Sequence, residues 1–176
     1  MLRLLNYYSR NRAAWFLLFL SVLCIEVMAL YFQHYLGLKP CILCIYQRCA
    51  LLGILCAAGI AMLSPKRFLL RFIALIIWIY CAIKGFLLAY EKAILQLEPP
   101  LFQSCTIDAS FPSWLPLNVW FPAMFESFNS CSNKPWHFLT LDMSQWMIIL
   151  FGFYTLAGIT VLISQPLRLP QRKTWQ

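Results

Sequence analysis

The chain is predicted to be an all-α integral membrane protein, one four-helix bundle spanning residues 1–176 with cytoplasmic termini and a long external loop between spans three and four. Three observations carry that expectation. Apolar residues fill 62% of the 176 positions and charged residues only 11%, proportions foreign to a soluble domain of this length. The apolar residues come in runs, not with a period of 3.6 or 2. Four runs, 13–32, 41–63, 72–90 and 146–163, each meet the length of about 18 largely uncharged residues that a bilayer-crossing helix needs.

The first run follows Arg3, Arg10 and Arg12, the order of a secretory signal peptide. It is too long for one, and bulky Tyr31, Phe32 and Tyr35 stand where a cleavage site needs small residues, so it is expected to remain as a span. The second run opens at Lys39-Pro40-Cys41-Ile42-Leu43-Cys44, with Pro40 placed just before a helix start. The third is reached through Lys66, Arg67 and Arg71. Between it and the fourth lies a connection of about 91–145 that holds six of the ten prolines, Pro99, Pro100, Pro112, Pro116, Pro122 and Pro135, so little extended regular structure is expected there. Its uncharged stretch Ser113-Trp114-Leu115-Pro116-Leu117-Asn118-Val119-Trp120-Phe121 suits either a segment in the headgroup zone or a small cap over the helices.

Charge sets the orientation. Arg3, Arg10, Arg12, Lys66, Arg67, Arg71, Arg168, Arg172 and Lys173 flank the spans on one side with no acid among them. The other two connections carry Lys39, Lys92 and Lys134 against Glu91, Glu98, Asp108, Glu126 and Asp142. Basic residues collect on the cytoplasmic side, so both termini are expected there. The net charge of +8 then reports orientation, and a nucleic-acid footprint is excluded because the cations hug span ends.

This topology puts Cys41, Cys44, Cys105 and Cys131 on the external face, where disulfides persist. A Cys-x-x-Cys pair at a helix N-terminus meets unsatisfied N–H groups and the positive end of the helix dipole, which favour thiolate, and its sulfurs can reach one another. A zinc site is the rival reading, with Cys105 and Cys131 completing four thiolates. The 26-residue separation of those two is unlike a close-set second ligand pair, and four cysteines allow three disulfide pairings. Cys24, Cys49, Cys56 and Cys81 fall inside spans and are expected to pack as small hydrophobes.

Three ionisable residues inside spans, Glu26, Arg48 and Lys84, fall in one external layer, and such residues mark function unless they snorkel to the interface. Arg48 stands out, since it follows Cys44 by four and Cys41 by seven and so shares their helical face. It could steady a thiolate or a reduced, anionic acceptor. A disulfide generator must pass two electrons onward, yet the chain has no dinucleotide fingerprint, haem attachment or iron–sulfur spacing. His34 and His137 do not make a haem pair. A quinone entering from the bilayer near Arg48 needs no such motif.

The blocks Met1-Leu2-Arg3, Phe32-Gln33-His34, Leu38-Lys39-Pro40-Cys41-Ile42-Leu43-Cys44-Ile45-Tyr46-Gln47-Arg48-Cys49-Ala50, Trp114-Leu115-Pro116-Leu117, Gln145-Trp146 and Ile163-Ser164-Gln165-Pro166 resemble the DsbB family of bacterial inner-membrane thiol:quinone oxidoreductases nearly end to end. The resemblance implies two disulfides in series. A periplasmic DsbA-type dithiol would attack Cys105/Cys131 with Cys105 forming the mixed disulfide, Cys41/Cys44 would reoxidise the loop pair, and Cys44 would hand electrons to ubiquinone or menaquinone beside Arg48. Lys92 departs from the family, standing where a histidine near the quinone is expected. The competing classes are a vitamin K epoxide reductase-like enzyme, whose Cys-x-x-Cys lies in a late span, a tetraspanin-like scaffold, which has no use for the Cys41/Cys44/Arg48 face, and a four-thiolate metal carrier.

Overall fold

The computed structural model describes residues 11–35, 41–63, 67–97, 137–138 and 141–165. Within them lie four helices, α1 (Arg12–His34), α2 (Ile42–Leu63), α3 (Phe68–Leu97) and α4 (Met143–Ser164), and a two-residue antiparallel ladder of β1 (His137–Phe138) with β2 (Leu141–Asp142). All four helices are long and apolar enough to cross a membrane. Regular helix is what the sequence must choose, because a backbone in hydrocarbon has to satisfy every N–H and C=O internally.

The helix ends are marked by local chemistry. Asn11 caps α1, its side chain accepting from the Ala13 N–H at 3.2 Å. The Gln145 side chain accepts from the Asp142 backbone N–H at 3.2 Å and so closes the first turn of α4. Thr155 and Thr160 return their hydroxyls to carbonyls one turn back, which hides polar groups inside an apolar helix.

The helices run alternately up and down, so that His34, Ile42, Leu97 and Met143 gather at one end, called here the thiol end. Helix α2 is the most buried of the four and packs against α1 and α3, while α4 packs against α3. Ala57, Ala58, Ala61 and Ala74 have no accessible surface and let backbones approach closely. At Gly158 an added Cβ would lie 2.9 Å from Ile79 Cγ1, and at Gly85 it would enter the Phe151 ring. Trp15 of α1 meets Trp78 of α3 edge-on at 5.9 Å, and Ser21 bonds the Tyr154 hydroxyl of α4 at 3.1 Å. The outward surface is apolar, with Leu17, Val27, Met28, Leu87, Phe153 and Leu156 all more than half exposed. That is an inverted surface for water and a suitable one for lipid.

Helix α3 differs from its expected extent. It begins at Phe68, not 72, and continues past Tyr90 to Leu97, so Glu91, Lys92 and Gln96 stand on a helix where a connection was expected. Propensity explains the extension, since Glu91-Lys92-Ala93-Ile94-Leu95-Gln96-Leu97 contains only good helix formers or neutral residues, and the Glu98-Pro99-Pro100 that follows it discourages helix. At the opposite end Arg71, expected to flank the span, is buried on the first turn of α3 with its guanidinium 5.9 Å from the Phe68 ring centroid.

Candidate active site

Cys41 directly precedes α2, and its carbonyl accepts the helix-opening bond from the Ile45 N–H at 3.2 Å. Cys44 lies in the first turn. Both sulfurs therefore sit among the N–H groups that no helical carbonyl satisfies, at the positive end of the dipole. The two Sγ atoms are 3.1 Å apart, both cysteines are free, and Cys41 is buried. Ile42 and Leu43 pack around them with Leu88 and Leu95 of α3. Cys41 is buried and Cys44 half-buried among these apolar side chains.

The extension of α3 brings a cation to this pair. Leu88, Lys92 and Leu95 lie on one helical face by their spacing of four and three. Lys92 is 3% exposed and donates from Nζ to Cys44 Sγ at 3.1 Å. A buried ammonium at hydrogen-bond distance places positive charge directly beside the Cys44 sulfur. The same extension is tied to α4 by a hydrogen bond from the Ser144 hydroxyl to Gln96 Oε1, both residues being buried.

Arg48 is buried one turn further along α2. Its guanidinium donates to Gln33 Oε1 and, at 2.9 Å, to the Ala29 carbonyl, both on α1. It also lies within electrostatic reach of Glu26 and Cys44. Arg48 thus shares the sulfurs' end of the bundle but directs its hydrogen bonds at α1, and the cation touching sulfur is Lys92. Glu26, Ala29 and Gln33 follow at spacings of three and four on one face of α1. Glu26 is 3% exposed, and neither carboxyl oxygen has a hydrogen-bond partner among the described residues. It does not snorkel. Gln47 is 2% exposed, with Nε2 likewise unpartnered among the described residues.

The remaining candidates separate cleanly. Lys84 is exposed, 5.9 Å over the Tyr80 ring, in the manner of a side chain reaching for the interface. Cys24 and Cys56 are exposed on the apolar surface, and Cys49 and Cys81 are half-buried. His34 is exposed in the last turn of α1. Cys105 and Cys131 lie outside the described residues, as does the aromatic stretch between them. Among the described residues no group of three His, Cys, Asp or Glu is placed to hold a metal ion.

Sequence reasoning located Cys41, Cys44 and Arg48 but gave Gln33 no task and left Lys92 between the site and the headgroups. The available signal for Gln33 was its spacing of seven from Glu26, which puts two polar residues of an apolar span on one stripe.

Residues 11–161 match the family model described as "Disulfide bond formation protein DsbB". The chain is also similar to proteins called "Disulfide bond formation protein B" in three enterobacteria. It is 45% identical over 172 residues to that of Salmonella typhimurium strain LT2, covering 98% of this chain and 97% of the relative. Over 172 residues it is 46% identical to that of Escherichia coli O1:K1, with 98% and 97% covered. The Yersinia enterocolitica protein is 48% identical over 173 residues, again with 98% and 97% covered.

Proposed function

The chain belongs to the DsbB family of disulfide bond formation proteins, and from that premise we propose that it is a thiol:quinone oxidoreductase of the bacterial inner membrane that reoxidises a periplasmic DsbA-type dithiol. The observation that carries the reading is the pair Cys41/Cys44, sulfurs 3.1 Å apart, with Lys92 Nζ 3.1 Å from Cys44. Two thiols so placed form and break one disulfide with little movement, and the charge arrangement decides which sulfur leaves as an anion.

The electron path has two stages. The partner's thiolate attacks the Cys105/Cys131 disulfide, with Cys105 the attacked sulfur, and the partner leaves oxidised. The reduced loop pair then attacks the Cys41/Cys44 disulfide at Cys41. Cys44 is the better leaving group, because Lys92 and the first-turn N–H groups of α2 stabilise its thiolate. The other loop thiolate resolves that mixed disulfide, closing the loop disulfide and freeing Cys41, after which Cys44 gives up the electron pair as Cys41 closes the disulfide again. All four cysteines are catalytic in this scheme.

The residues near Cys44 fit a quinone. Such an acceptor presents two carbonyl oxygens that gain negative charge on reduction, and the site offers the Arg48 guanidinium and the buried Gln47 Nε2, unpartnered among the described residues, as donors. Bound quinone supplies a two-electron, two-proton acceptor that diffuses in the bilayer. Arg48, anchored by Gln33 and the Ala29 carbonyl, holds its positive charge at a fixed depth where anionic oxygen needs it. Whether ubiquinone or menaquinone is the natural acceptor follows from the bacterium's pool.

The test mixes a reduced periplasmic dithiol oxidant with the purified protein in detergent and follows quinone absorbance. Quinone loss should match partner oxidation and vanish in Cys44→Ser. Partner oxidation that ignores added quinone would exclude the proposal.

A further inference from the structure

Arg48, Lys92, Gln96 and Ser144 of the thiol end all have hydrogen-bond partners, and Glu26 has none among the described residues. The acid is 3% exposed in a span of 23 residues that contains no other acid. A carboxylate that fastens two helices does so through hydrogen bonds, and Glu26 makes none among the described residues. Burying a carboxyl in this way is costly, so the position calls for a use. From α2 the titratable and charged groups facing it are Arg48 and Cys49. Arg48 donates to Ala29 and Gln33, one and two turns nearer the sulfurs on the same stripe of α1. Glu26 therefore sits below the cation that anchors the acceptor, with both oxygens available.

We propose that Glu26 is the proton-carrying group of this site, a catalytic acid that delivers a proton to the reduced acceptor and is reloaded from the thiols. The inference rests on the quinone reading above. Taking the Cys41/Cys44 dithiol to the disulfide forms one S–S bond and releases two electrons and two protons, the Cys44 proton leaving as its thiolate forms and the Cys41 proton as the S–S bond closes. The quinone takes up two electrons and two protons and becomes the hydroquinone. Glu26, as carboxylic acid, gives one proton to a quinone oxygen, and its carboxylate beside Arg48 is reprotonated by one of the protons leaving the thiols. The other thiol proton reaches the second quinone oxygen through water at the thiol end. The acid ends each cycle as it began.

The test uses the full chain in detergent with a short-chain ubiquinone and a reduced dithiol partner. Glu26→Gln keeps the shape and removes the proton. It is expected to lower kcat about a hundredfold, within the range of a lost general acid, with the quinone KM little changed. Glu26→Asp should restore much of the rate. A time-resolved infrared difference spectrum recorded during turnover of the loaded wild type should contain a carboxylic acid C=O band that moves in heavy water and is missing in Glu26→Gln. If Glu26→Gln fails to fold, the same band must shift in Glu26→Asp. A Glu26→Gln enzyme with wild-type kcat, a raised KM in place of a lowered kcat, or a wild-type spectrum free of any Glu26 band overturns the assignment. A wild type that is quinone-dependent while Glu26→Gln is unaffected overturns this inference alone, whereas a wild type indifferent to quinone overturns the function as well.

Discussion

The two ends of the bundle differ in balance, with buried polar groups limited to Arg71 and Ser164 at the end away from the thiols, among the described residues, and gathered at the other. Toward the end away from the thiols, Ala57, Ala58, Ala61 and Ala74 are fully buried, Gly158 admits Trp78 and Ile79, and Trp15 closes edge-on against Trp78. At the thiol end, Glu26, Gln47, Arg48, Lys92, Gln96 and Ser144 are all buried among the same apolar helices. One half holds together by close approach of small residues, where lipid gives no hydrophobic push between helices. The other accepts the cost of buried polar groups, which a membrane protein retains only where they act. Function is therefore expected to be lost by changes at one end and stability by changes at the other.

Substitutions ordered by effect can break that division. Cys44→Ser should reduce quinone-linked turnover to background while the protein keeps its thermal unfolding midpoint, since a hydroxyl replaces a thiol of similar size; turnover above background would contradict it. Arg48→Met comes next. It removes the donor to Gln33 and Ala29, and a lost charged hydrogen bond of about 1.5–3 kcal/mol corresponds to a rise of about tenfold to a hundredfold in the apparent quinone KM. Exchange between the partner and the loop cysteines should proceed in that variant, as followed by trapping the mixed disulfide.

Lys92→Met should slow alkylation of Cys44 in the reduced protein at neutral pH by about tenfold, the effect of removing one adjacent cation, and Lys92→Arg should recover most of it. An unchanged alkylation rate would make Lys92 a packing residue. The smallest effects belong to the other half. Gly158→Leu forces Trp78 and Ile79 apart and should cost about 1–3 kcal/mol of stability by overpacking, read as a lower unfolding midpoint with intact turnover per folded molecule. Trp15→Leu gives up the edge-on pair, a loss of about 0.5–1.5 kcal/mol beyond area. If either change abolished turnover in folded protein, the division between the two ends would be wrong.

The sequence made the bundle legible because membrane spans advertise themselves by length and composition alone. It also disclosed the Cys41, Cys44 and Arg48 stripe, since those residues share one helix and their spacing is fixed by helical geometry. What it hid depends on contacts between helices. Lys92 reaches Cys44 only because α3 continues past Tyr90, and no spacing within one segment reports that residues 48 apart will touch. Gln33 was hidden for the same reason, as its partner stands on the next helix. Glu26 was visible as an intramembrane acid, but that it has no hydrogen-bond partner among the described residues is a property of packing.

A single turnover without the loop cysteines isolates electron transfer from Cys41 and Cys44 to quinone. Protein with Cys105 and Cys131 both changed to serine, reduced and freed of excess thiol without oxygen, is mixed with a short-chain quinone, and hydroquinone and free thiols are counted together. The account predicts one hydroquinone for each pair of thiols lost, with the new disulfide mapping to Cys41 and Cys44. Thiols that persist in the presence of quinone, or hydroquinone formed equally by the Cys44→Ser protein, would contradict it.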